Sequence, residues 1–130
     1  MTIYVVVGLA LFVFIAVRQN RDGNGPTDQR RIFTQSERMQ GFARAGNQCE
    51  HVSIFGRRCT NAPTHADHHH PHSKGGATAM SNFVALCARH NLTKGSRVPT
   101  GAATRRLERR RRAYFPPGVR TDIERKQNRR

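Results

Sequence analysis

Acidic residues are scarce in this chain: eight Asp and Glu stand against 23 Lys and Arg, a formal net charge of +15 over 130 residues. That imbalance says nothing about fold. It predicts attraction to polyanions, of which nucleic acid is the commonest large one; a solvated basic surface is the plainer alternative. Large apolar residues are also few once the first seventeen positions are set aside, although 36% of the chain is hydrophobic. A core that thin needs a staple, either a disulfide or a structural metal. Cysteine is limited to three, an odd number that excludes a pure disulfide framework. Seven histidines accompany them, five between His65 and His72, and that mixture points to metal ligation in a reducing, cytoplasmic setting. No internal repeat is present, and the length allows one compact domain at most.

Four stretches follow from composition. Residues 1–17 contain the uncharged run TIYVVVGLALFVFIAV, Thr2 to Val17. As a helix it spans about 24 Å against a hydrocarbon layer of roughly 30 Å. Tyr4 at one interface and Arg18 and Arg21 at the other suit a transmembrane or signal-anchor helix. A cleaved signal peptide lacks its basic n-region and small-x-small site here. Positive charge on the C-terminal side alone places the rest of the chain in the cytoplasm, with a soluble cytoplasmic protein as the alternative. Residues 18–47 read as a polar linker, Arg18 to Arg31, and a short helix from Phe33 to Ala45 with Thr34 or Ser36 as N-cap. Residues 48–96 hold the domain proper. Residues 97–130 form a basic tail whose arginine-dense segment Ala102 to Tyr114 is helical until Pro116-Pro117.

Within the domain, Cys49 and Cys59 form C-x9-C, and Cys87 and His90 form C-x2-H. Zinc takes four such ligands in a tetrahedron, and Cys3His is a common structural set. The wide first spacing requires Ser53 to Arg58 to bulge out as a loop. His51, two residues from Cys49, is a rival fourth ligand. Three free cysteines filling a core are the alternative without metal.

Between these halves lies His65-Ala66-Asp67-His68-His69-His70-Pro71-His72-Ser73-Lys74-Gly75-Gly76, and then Ser81-Asn82-Phe83-Val84-Ala85-Leu86-Cys87-Ala88-Arg89-His90-Asn91-Leu92-Thr93-Lys94-Gly95. The Asp-His pair, the Gly-Gly loop, N-F-V-A-L-C and H-N-L-T-K-G, in this order, resemble the HNH endonuclease family over residues 49 to 95. The resemblance implies an α+β fold, a small ββα-metal (HNH, His-Me finger) domain with a structural zinc site. An apolar helix would precede it, and a basic helical tail like those beside bacterial and phage HNH domains would follow. It implies metal-dependent hydrolysis of DNA phosphodiester bonds, with His68 as general base and Asn82 orienting it through backbone hydrogen bonds. Asp67 and Asn91 would hold a catalytic divalent ion, Mg²⁺ or Mn²⁺. Asn91 stands where histidine is commoner, which makes this an H-N-N variant and leaves His90 to zinc. The competing assignment gives His90 to the catalytic ion and His51, or nothing, to zinc.

Lys74, Lys94, Arg109 and Arg110 are candidate phosphate contacts, with plain surface charge as their alternative. The remaining histidines at 65, 69, 70 and 72 receive no catalytic role. The expected partner is double-stranded DNA, bound by a monomer or weak dimer, with the membrane engaged through residues 2–17 and no small-molecule cofactor. A catalytically silent, zinc-stabilised nucleic-acid-binding module tethered to the membrane is the second function consistent with the sequence.

Overall fold

The computed structural model describes residues 27–125. The apolar run at residues 2–17 lies outside them, as do residues 126–130. Among the described residues, no helix is long and apolar enough to cross a membrane.

Helix α1, Gln35–Arg44, opens with a capping box: Thr34 Oγ1 accepts from the Glu37 amide at 3.2 Å, and Glu37 Oε2 accepts from the Thr34 amide at 2.8 Å. Two otherwise orphaned donors are thereby satisfied. A central glycine would ordinarily weaken the helix, yet Gly41 is needed here. A Cβ at that position would lie 2.2 Å from the Phe83 ring.

Strand β1, His65–His68, pairs antiparallel with β2, Phe83–Leu86, so that His65 faces Leu86 and His68 faces Phe83. Side chains alternate between the two faces of a strand, and β2 is buried throughout. Val84 and Leu86 join Cys49, Cys87 and Leu107 on one side, whereas Phe83 and Ala85 join Phe33 and Ala45 on the other. Helix α1 therefore covers one face of β2. The second face is closed by α3, Gly101–Tyr114, through Leu107. Between them runs the short α2, Ala88–Lys94, which begins directly after Cys87.

Helix α3 appears from sequence as a charged tail, but Arg111 is fully buried. Its guanidinium meets Glu50, also buried, with Nε 2.9 Å from Oε1 and a second nitrogen 3.2 Å from Oε2. Glu50 in turn accepts from the Tyr114 hydroxyl and the Ala85 amide, both at 2.9 Å, while its own amide donates to the Ala85 carbonyl at 2.8 Å. Arg111 also donates to the Phe83 carbonyl at 2.8 Å. One carboxylate thus ties β2 to α3, and the chain after α3 returns to bond residues 77 and 81. The polar stretch before α1 is likewise engaged: Asp28 and Arg30 bond the backbone of Thr78.

Removing one member of a buried, hydrogen-bonded ion pair leaves the other uncompensated. Arg111→Ala is expected to cost about 3–5 kcal/mol in urea unfolding. Arg109→Ala and Arg110→Ala, on exposed positions of the same helix, should each stay within about 0.5 kcal/mol.

Candidate functional site

Two groups of chemistry-bearing residues lie on this frame. The first joins Cys49, Cys59, Cys87 and His90, whose ligand atoms all fall within 4.8 Å of one another. Local bonding brings the wide C-x9-C spacing together: the Cys49 amide donates to the Asn61 carbonyl at 2.8 Å, and the Cys59 amide to the His51 carbonyl at 2.9 Å. An isolated bridge from Val52 to Arg58 closes the intervening loop, whose tip exposes Ile54 and Phe55. On the other side Cys87 precedes α2 and His90 sits in its first turn, with Nδ1 3.3 Å from Cys87 Sγ and 3.6 Å from Cys49 Sγ.

The donor chemistry fits zinc, since three sulfurs and an imidazole form a common closed tetrahedral set. Burial pushes the Cys49 thiol up to about 12, so a neighbouring cation is needed to hold the thiolate there. His51 lies outside the cluster. Its ring stacks on His90 at 3.8 Å and 10°, bracing the histidine that faces the sulfurs.

The second group surrounds an open cleft of about 470 Å³, lined by Asp67 and His68 together with Arg31, Arg38 and His72 among others. His68 ends β1 and is buried against the Phe33 ring at 4.7 Å. Its Nε2 lies 2.8 Å from Thr78 Oγ1. Burial pushes its pKa down to about 4, partly offset by Asp67, so the imidazole is neutral at physiological pH. Lys94 Nζ lies 2.9 Å from Asp67 Oδ2 and donates to the His68 carbonyl at 2.8 Å. The ion pair is close, yet the buried Oδ2 accepts no well-aligned hydrogen bond. That leaves an oxygen suited to a hard cation.

Asn82 is fully buried beneath the loop that joins the strands. Its Oδ1 accepts from the His70 amide at 2.8 Å, and its Nδ2 donates to the carbonyls of His70 and Ala77, each at 2.9 Å. The loop packs so tightly that a Cβ at Gly76 would lie 1.9 Å from the His70 carbonyl oxygen. Asn82 thus fixes the backbone two residues beyond His68 rather than the ring itself.

Asn91 is half-buried in α2, three residues before Lys94 and so on the same side of that helix. Lys74, Arg109 and Arg110 are exposed and do not line the cleft. Sequence reasoning missed Thr78 and the cleft arginines Arg31 and Arg38. His72 carried a signal, its position in the histidine-rich segment, whereas nothing local distinguishes Thr78.

Residues 49–97 match the family model of HNH endonuclease. The match covers 49 of the 130 residues. No curated protein and no solved structure matches the chain. The HNH segment contains the four-residue cluster, Asp67, His68, Asn82 and Asn91, while α1 and α3 lie outside it.

His69, next to His68 in the chain, is buried with Nε2 2.9 Å from Thr104 Oγ1. Burial, then Arg111 and Lys94, push its pKa from 6.5 down to about 3. The folded chain keeps this ring neutral while the unfolded chain protonates it, so stability is full above pH 6.5 and falls as pH drops toward 3. The loss is about 1.4 kcal/mol per pH unit. Urea unfolding at about pH 7.5 and about pH 5.5 should therefore show wild type losing about 1.4 kcal/mol more than His69→Gln. Equal losses in the two proteins would remove His69 from the acid sensitivity.

Proposed function

We propose that the HNH domain is a metal-dependent endonuclease that hydrolyses phosphodiester bonds in double-stranded DNA. One observation carries this: a buried, neutral His68 stands beside Asp67 in a cleft of the matched HNH segment. A neutral imidazole can take a proton from water as the water oxygen bonds to phosphorus. The bond to the 3′ oxygen breaks, and that oxygen collects a proton from solvent. Asn82 keeps the loop behind His68 rigid, which preserves the reach of the base.

Asp67 and Asn91 are the residues that would hold a divalent ion, Mg²⁺ or Mn²⁺. When bound, it supplies charge neutralisation for the phosphate and departing oxygen. Arg31 and Arg38 line the cleft and suit the approach of phosphates, with Lys74, Arg109 and Arg110 adding exposed positive charge. Zinc on Cys49, Cys59, Cys87 and His90 would be structural.

A second function has a specific observation in its favour. The Lys94 ammonium already neutralises Asp67, as a silent nucleic-acid-binding module would permit. Plasmid nicking with added Mg²⁺ or Mn²⁺ separates the two. The nuclease predicts nicking by wild type and a loss on the order of a hundredfold or more in His68→Ala. Wild type that binds the plasmid yet leaves it intact with either ion would establish the silent module.

A further inference from the structure

Thr78 is almost completely buried and placed by both its backbone and its side chain. Its amide donates to Asp28 Oδ2 at 2.9 Å, and its carbonyl accepts from the Arg30 guanidinium at 2.6 Å. Its hydroxyl touches two groups, the Arg30 carbonyl oxygen and His68 Nε2. A hydroxyl has one proton, and a carbonyl can only accept. The Thr78 proton therefore goes to Arg30, and the hydroxyl oxygen has only lone pairs left for His68.

We propose that Thr78 is a positioning residue that sets the tautomer of His68, holding the ring proton on Nε2 and leaving the Nδ1 lone pair free. This rests on His68 being the base. The opposite tautomer would place an imidazole lone pair against a hydroxyl lone pair at 2.8 Å, a repulsive contact in a buried site. Donor and acceptor counting thus chooses the nitrogen that can take a proton from water.

The device extends beyond the matched HNH segment. Arg30 is itself gripped by both oxygens of Glu37, at 2.7 and 2.9 Å, and Glu37 closes the capping box of α1. A continuous run of bonds links the start of α1 through Arg30 and Thr78 to His68. Residues 28–37 consequently help prepare a base that lies in residues 49–97.

The full chain, labelled with ¹⁵N, gives the tautomer directly from side-chain ¹⁵N–¹H correlations of the neutral histidines, without DNA. Wild type and Thr78→Ser are expected to carry the His68 proton on Nε2, and Thr78→Val to show a mixture or the reverse. In plasmid nicking, Thr78→Val should lose about tenfold or more in kcat with KM little changed, and Thr78→Ser should recover most of it. A wild-type His68 protonated on Nδ1, or Thr78→Val with unaltered tautomer and kcat, would overturn the proposal. Should Thr78→Val fail to fold, the wild-type and Thr78→Ser spectra decide alone. If His68→Ala nicks normally while the wild-type spectrum shows Nε2–H, the base assignment falls and the tautomer assignment survives.

Discussion

The convergence of Cys49, Cys59, Cys87 and His90 is the constraint on which the rest of this structure depends. The buried hydrophobic residues among those described are twelve, of which four are alanine and two are Cys49 and Cys87 of the cluster. Six larger side chains cannot offset the ordering entropy of a domain this size. A bound structural zinc contributes on the order of 10–16 kcal/mol of apparent binding free energy, and that energy is folding energy when the site exists only in the folded chain. The residues that would hold it also sit at the right joints. Cys49 leads into Glu50, whose amide bonds Ala85 in β2, and Cys87 links the end of β2 to the start of α2, so joining them fixes the strand beside both.

Glu50 extends that order in a different way. Its backbone and carboxylate bond Ala85, and its carboxylate collects Arg111 and Tyr114 from α3. A buried pair of this kind adds little net stability compared with apolar side chains of the same volume. It does make any other docking of α3 costly, because both charges would lose their partners. The arginine-rich helix is thus held in one register by a single inward arginine, while Arg109 and Arg110 remain exposed.

Much of this was legible beforehand where the signal is local. Thr34 or Ser36 marks a helix start in sequence, and the structure has Thr34 as the N-cap, with Glu37 completing a capping box. The C-x2-H pair and the loop from Ser53 to Arg58 also follow from spacing, and the four side chains meet. What escaped depends on partners distant in sequence. Nothing near Arg111 separates it from its neighbouring arginines; Glu50, 61 residues away, does. Asp28 and Arg30 lie in a polar stretch that reads as linker until Thr78 is brought beside them. Lys94 reads as a phosphate contact or plain surface charge, but the short α2 turns it inward onto Asp67. His51 is the rival of His90 in sequence, but it is His90 that stands with the three cysteines, while His51 stacks on the His90 ring.

On the proposed reading, holding and cutting are separate tasks on this frame, with Cys49, Cys59, Cys87 and His90 assigned to one and the Asp67–His68 cleft to the other. The most direct test of that division is elemental analysis of freshly purified, unchelated protein, paired with circular dichroism after a chelator strips the metal. About one equivalent of zinc, with loss of folded signal on its removal, is the predicted result. Less than about half an equivalent in protein that is nonetheless fully folded would contradict the account.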